Sequence, residues 1–158
     1  MTKVLTGFPN DEGFYMPAEY SKHKGTFVIW PVRAGSWGVD RSEAIAAFTK
    51  VISTISKCEK AYVVTDEAHV KEVEAYVPEA QVIIAETDDS WARDVSPVFV
   101  TDGKKVRGID FGFNAWGGDY DGLYASWDND NALAGKICDE LSMDCYDFKR
   151  FILTTSSG

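Results

Sequence analysis

The sequence predicts a mixed α/β domain, and three observations carry that expectation. Residues 26–30 form a nearly continuous apolar run, Thr26-Phe27-Val28-Ile29-Trp30, closed by Pro31 as a buried strand is. Ile45, Phe48, Ile52 and Ile55 recur at helical spacing and give one apolar face. Asp102-Gly103 separates two apolar runs, with glycine supplying the left-handed backbone that a tight hairpin turn requires. Hairpins combined with strand-helix crossovers exclude the all-α and all-β classes and leave α/β or α+β.

Residues 1–22 are polar and carry Gly7, Pro9, Gly13 and Pro17 among isolated aromatics, so they read as an irregular lead-in. After the first strand, Asp40 and Glu43 approach a capping-box arrangement for a helix that runs to about Cys58. Residues 61–64 read as a strand, and residues 66–76 as a short helix with Ala68, Val70 and Val73 partly inward. Residues 81–85 read as another buried strand. Residues 95–101 and 105–110 are the two arms of the hairpin. Residues 112–131 are rich in Gly, Asn, Asp and aromatics, the composition of a functional loop rather than a linker. Asp128 or Asn129 is the expected cap of a helix carrying Leu133, Ile137 and Leu141, and a final strand begins near Phe151. No repeat or composition shift marks a boundary, so residues 1–158 are expected to form one domain.

At 158 residues, with 45% hydrophobic residues, the chain can bury a core of its own. A formal charge of -9 argues against a nucleic-acid partner, whose affinity would rest on Lys and Arg displacing counterions. It suits a small cation better. Cys58, Cys138 and Cys145 are odd in number and lack metal-ligand spacing, which argues against a zinc site or a disulfide framework and for a reducing, cytoplasmic setting. No apolar stretch approaches the length needed to cross a bilayer, so no membrane partner is expected.

The densest chemical cluster is Glu86-Thr87-Asp88-Asp89-Ser90-Trp91-Ala92-Arg93-Asp94, which leaves the end of a predicted buried strand. Ligands bind at such strand ends in α/β sheets. Carboxylates beside an indole can meet a guanidinium at both its N–H fork and its face. The competing reading is a solvated acidic loop in which Arg93 pairs with a neighbouring Asp and Trp91 packs as core. The carboxylates at 86, 88 and 89 lack the spacing and Gly pivot of a calcium loop, so no metal is assigned. In the second cluster, Phe113-Asn114-Ala115-Trp116-Gly117-Gly118, the glycine pair allows a sharp turn that presents Trp116 at a pocket mouth, or else the aromatics plug the core. His23 and His69 read as surface residues. Cys58 and Cys138 fall on amphipathic helices, where a small buried thiol is expected.

These motifs, together with Gly13-Phe14-Tyr15-Met16-Pro17-Ala18-Glu19, Val28-Ile29-Trp30-Pro31, Val106-Arg107-Gly108-Ile109-Asp110 and Gly122-Leu123-Tyr124, resemble the agmatine deiminases in the same order, from about residue 13 to about residue 148. Bacterial peptidyl-arginine deiminases of the same superfamily share the general pattern. The resemblance implies part of a pentein fold, a pseudosymmetric α/β propeller, of which this chain is the N-terminal portion. It implies a hydrolase in which a Cys thiolate attacks the guanidinium carbon of agmatine, ammonia leaves, and water releases N-carbamoylputrescine without a metal or organic cofactor. It also implies that Asp94 holds the guanidinium nitrogens, that Trp91 is the aromatic wall, and that Trp116 lines the entrance.

The departures bear on activity. Where the family pattern continues Leu-Glu-Gly-Gly, this chain has Leu153-Thr154-Thr155-Ser156-Ser157-Gly158, and none of the three cysteines matches the nucleophile's motif. No catalytic residue is therefore assigned within this chain, which is expected to be inactive alone. It is also expected to self-associate through apolar edges that a cut propeller would expose. The alternative is a non-catalytic module that binds a guanidinium compound or serves as an assembly partner.

Overall fold

The computed structural model describes residues 2–152, and its elements run in chain order. They are β1 (Val4–Leu5), a 3-10 turn (Pro9–Glu12), β2 (Gly25–Ile29), α1 (Ala34–Trp37), α2 (Ser42–Ile55) and β3 (Lys60–Thr65). A second 3-10 turn (Glu67–His69), α3 (Val70–Tyr76), β4 (Gln81–Ile84), α4 (Ala92–Val95), β5 (Val98–Thr101) and β6 (Val106–Gly112) follow. The last are α5 (Gly118–Asp121), α6 (Asp128–Glu140) and β7 (Cys145–Ile152). The chain, expected as one domain over residues 1–158, divides into two compact units: Lys22–Ala92, and Met1–Ser21 together with Arg93–Gly158.

The unit Lys22–Ala92 is a parallel sheet in the order β2-β3-β4. Parallel neighbours cannot be joined by tight turns, so α2 and α3 make the crossovers. The expected apolar face of α2 packs the core: Ile45 and Ile52 are buried with Trp30, Ala61, Val63, Val73 and Val77, and Phe48 and Ile55 lie against them. The capping box does not form as read. Asp40 accepts the amide of Ser42 at 3.0 Å, while Arg41 holds the cap position without a side-chain cap. The helix also ends at Ile55, before the expected Cys58, because the amide of Cys58 turns back onto Ile55 O at 2.8 Å. That leaves Cys58 exposed, against the expectation of a buried thiol.

The stretch read as one helix over 66–76 is two elements. Asp66 accepts the His69 amide at 2.9 Å and caps the 3-10 turn, and α3 starts after it. Because the two helical periods differ, Ala68 points to solvent, Val70 is half-buried and Val73 alone of the three is buried. Ile84, expected inside a buried strand, is 56% exposed because β4 is an edge strand.

The other unit is a mixed sheet in the order β1-β7-β6-β5, with β5 antiparallel to β6 and the remaining pairs parallel. The hairpin forms where expected: Thr101 pairs with Val106, Gly103 has φ 86°, and the Asp102 carboxylate accepts the amides of Lys104 and Lys105. Its first arm begins at Val98 and not at residue 95, since Ala92–Val95 is a helical turn and Pro97 enforces extended backbone before it. Helix α6 packs on β6 and buries Leu133, Ala134, Ile137 and Cys138, leaving Leu141 half-buried. Neither Asp128 nor Asn129 caps it. Trp127 holds that position, and both residues fall in the first turn, where Asp128 is favoured by the helix dipole.

β7 begins at Cys145, well before the expected 151, because Asp147, Lys149 and Arg150 mask its alternation. The lead-in expected to be irregular is also stitched to this sheet. Val4–Leu5 pairs with Cys145 and Tyr146, and Tyr15 bridges Thr101. Arg107 donates to Glu12 at 2.8 Å and to the Tyr146 hydroxyl at 2.5 Å, with its guanidinium 4.2 Å from the centre of the Phe14 ring.

Candidate functional site

In the unit Lys22–Ala92 all three strands run the same way, so the segments that leave β2 and β4 emerge at one edge, the carboxyl edge of the sheet. Residues 30–37 follow β2 there, and residues 85–91 follow β4. Backbone and side-chain hydrogen bonds tie the two together. Arg33 Nη1 donates to Asp88 O at 3.0 Å, Ser36 Oγ donates to Asp89 at 2.5 Å, and Trp37 Nε1 donates to Ser90 Oγ at 3.3 Å. Ser90 Oγ in turn donates to Trp30 O at 3.3 Å, and the Asp89 carboxylate also accepts the Ser90 amide at 2.8 Å. Asp89 is 2% exposed, so this is an internal staple and not part of a solvated acidic patch.

A second network anchors the start of the same segment. Glu72 accepts Trp30 Nε1 at 2.6 Å and receives both guanidinium nitrogens of Arg41 at 3.1 and 3.0 Å, while Arg41 also donates to Pro31 O. Burial pushes the Glu72 carboxyl up, yet the hydrogen bonds from Trp30 and Arg41 outweigh it and hold the group below the usual carboxylate range. Trp91, next after Ser90, is 39% exposed.

Asp94 and Trp116 belong to the other unit. Asp94 sits half-buried in the helical turn α4, whose Val95 is buried. Arg93 pairs with Glu19 at 3.1 Å, between two exposed side chains, and not with a neighbouring Asp as the loop reading expected. Trp116 is 36% exposed and meets Phe113 edge-on at 5.1 Å.

The sharp turn expected at Gly117-Gly118 starts earlier. Ala115 and Trp116 themselves take left-handed backbone, φ 51° and 64°, as does Gly118, whereas Gly117 is extended at φ -154°. Two successive side-chain-bearing residues in that region store strain, on the order of 1–3 kcal/mol each. Glycine at 117 is required for another reason: a Cβ there would lie 2.3 Å from the Asp121 carbonyl carbon. The loop is held by Asn131, which accepts the Phe113 amide at 2.9 Å, and by the Ala115 carbonyl, which accepts the Leu123 amide at 3.0 Å. After it, Tyr120, Tyr124, Trp127, Asp119 and Asp128 line an open cleft of about 400 Å³.

The sequence model of Porphyromonas-type peptidyl-arginine deiminases matches residues 15–157. The chain belongs to that family. A protein of Selenomonas ruminantium, provisionally named an agmatine deiminase, is 44% identical over 155 residues, covering 94% of this chain and 42% of its own length. The solved agmatine deiminase of Enterococcus faecalis superposes with a TM-score of 0.92 at 34% identity, over 97% of this chain and 42% of that one. An agmatine deiminase of C. jejuni, at 17% identity and a TM-score of 0.71, shares the fold. The chain thus spans about two fifths of the length of the relatives it matches, and its mixed sheets, with no closed barrel among the described residues, are part of the pentein architecture.

No described thiol of the unit Lys22–Ala92 stands at this edge. Cys58 precedes β3 and so lies at the amino edge of the sheet, about 16 Å from the carboxyl edge along the rises of a six-residue strand. Cys138 on α6 and Cys145 at the start of β7 are buried beside Gly108 of β6, and the contact with Cys145, reinforced by burial, pushes the Cys138 thiol far up. His69 pairs with Asp66 at 2.7 Å, and His23 lies 3.4 Å from Glu59. Among the described residues no group of His, Cys, Asp and Glu is arranged to hold a metal ion, and no helix is long and apolar enough to cross a membrane. Residues 153–158, where the chain departs from Leu-Glu-Gly-Gly, lie outside the described residues.

Sequence reasoning missed three buried acids: Asp89, Asp110 and Asp130. Asp130 accepts the Tyr124 hydroxyl at 2.6 Å, and Asp110 lies 3.4 Å from Lys149 Nζ with its Oδ1 unpartnered. Burial pushes Asp110 up, and Lys149 offsets part of that. The signal available for Asp110 was its place inside the apolar run of β6; Asp89 and Asp130 sit among other acids and had none.

Proposed function

We propose that this chain supplies one wall of the substrate pocket of an agmatine-deiminase-type hydrolase, with Trp91 covering the face of a guanidinium group and Asp94 accepting its N–H fork. The observation that carries this reading is the half-exposed Trp91 indole, which directly follows the buried Asp89 staple at the carboxyl edge of a parallel sheet and stands three residues before Asp94. A carboxylate there favours the charged substrate and orients its carbon for attack. Trp116 is the entrance residue of the same reading. The reaction is the hydrolysis of agmatine to N-carbamoylputrescine and ammonia, a step toward putrescine and the polyamines, carried out in the cytoplasm by the whole protein. A peptidyl arginine would present the same guanidinium, as the family's name implies. Self-association of the chain belongs to this proposal as well.

Titration of the 158-residue protein with agmatine and with putrescine, which lacks the guanidinium, tests the pocket. Agmatine should move the Trp91 indole NMR signal, putrescine should not, and Asp94→Asn should abolish the response. In the whole protein the same substitution removes a charge-assisted pair of about 1.5–3 kcal/mol and misplaces the reacting carbon, a loss of about 10²-fold or more in kcat/KM. Equal responses to agmatine and putrescine, or an unaltered Asp94→Asn titration, would overturn the assignment.

A second reading is a non-catalytic guanidinium-binding or assembly module. It is favoured by the placement of the thiols, one at the amino edge of the parallel sheet and two buried, on α6 and at the start of β7. Agmatine binding without turnover by any assembled form would decide for it.

A further inference from the structure

We propose that Asp89, acting through Ser36 and Arg33, is a positioning residue that sets the orientation of the Trp91 indole, and with it the affinity for a guanidinium ligand. The affinity part rests on the pocket reading above; the orientation part does not.

The residues that build this device come from two segments far apart in sequence. Asp89 is 2% exposed, and a carboxylate so placed is costly unless its oxygens are met. They are met by a hydroxyl and an amide, Ser36 Oγ at 2.5 Å on Oδ2 and the Ser90 N–H at 2.8 Å on Oδ1, with Arg33 Nε 3.9 Å away. Because one of those donors is the amide next in the chain, the carboxylate fixes the peptide plane between residues 89 and 90. Ser90 is then held by its own hydroxyl between Trp30 O and Trp37 Nε1, and Asp88 O is held by Arg33 Nη1.

Three successive residues are thus pinned directly before Trp91, which remains 39% exposed. A large ring on an exposed loop would otherwise sample several rotamers. A ring that must cover a ligand face loses affinity in proportion to the fraction of time it spends elsewhere. The acid two residues earlier fixes the backbone from which the ring projects, and so narrows that freedom without touching the ligand. Segment 31–37, which includes α1 and is distant in sequence from the DDSW motif, becomes part of the recognition machinery through Ser36 and Arg33.

The test uses the 158-residue protein labelled at its five tryptophan indoles, with Trp91→Phe identifying the Trp91 signal. Asp89→Ala should shift or broaden the signals of Trp91 and Trp37, leave those of Trp116 and Trp127 in place, and weaken agmatine binding at least fivefold. Ser36→Ala, which keeps the carboxylate and its amide contact, should do the same more mildly and serves if Asp89→Ala does not fold. Movement of all five indoles would make the carboxylate a support of the whole fold and overturn the proposal. So would an unmoved Trp91 signal with affinity within twofold of the parent in both variants. Should the parent protein bind no agmatine, the pocket reading fails by itself, and the Trp91 signal in the two variants still decides whether Asp89 orients the ring.

Discussion

Glu72→Gln is the sharpest test of how this fold supports its candidate site, because one carboxylate ties Trp30 and Arg41 at either end of the segment that carries Arg33 and Ser36. Glutamine keeps one oxygen for Trp30 but turns an N–H₂ toward Arg41, so a bidentate charged pair becomes donor against donor. The Arg41 and Glu72 side chains are 16% and 27% exposed. The cost therefore falls between the roughly 0.2–1 kcal/mol of an exposed pair and the roughly 3–5 kcal/mol of breaking a buried one, at about 2 kcal/mol. For a unit of this size that is a fall in Tm of about 8–16 °C.

The pH dependence has a definite sign. The folded Glu72 carboxyl sits below its unfolded value of 4.5, so its contribution is full above that value and is lost as pH falls through the folded one. Thermal melts followed by circular dichroism should show the gap between the parent and Glu72→Gln narrowing in acid. A gap under about 2 °C at neutral pH would refute the estimate. A gap of unchanged size at about pH 3 would refute the electrostatic cause.

Asp110 behaves in the opposite sense. Burial raises its folded value above 3.8, so the stability of its unit should fall as pH rises from there through the raised value, and Asp110→Asn should flatten that dependence in urea titrations. Gly108→Ala places a Cβ 2.3 Å from Cys138 Sγ and should cost about 1–3 kcal/mol; the double variant with Cys138→Ala should recover most of it, and failure to do so would show that Pro97 Cβ or Cys145 Sγ, and not Cys138, is the obstacle. The isolated 158-residue protein should form no ureido product from agmatine, since Cys58 lies at the amino edge of its own sheet and Cys138 and Cys145 are buried; sustained product lost on mutating one of its cysteines would overturn that reading.

Periodicity and turn chemistry were sufficient for the elements whose apolar residues face one way. The face of α2 at Ile45 and Ile52, the strand closed by Pro31 and the Asp102-Gly103 hairpin are local properties, each written in a few consecutive residues. The motifs around Trp91, Asp94 and Trp116 are local too, and they carried the family resemblance. What sequence alone misjudged depends on partners distant in the chain. β7 looked too charged to be a strand until β1 and β6 flanked it, and the lead-in looked irregular until Glu12 accepted hydrogen bonds from Arg107 and Tyr146. Ile84 looked buried until β4 proved to be an edge. Asp89 stands among four acids of one loop with nothing in its neighbours to distinguish it; only the fold, by bringing Ser36 and Arg33 from more than fifty residues away, decided that this one is buried and paired.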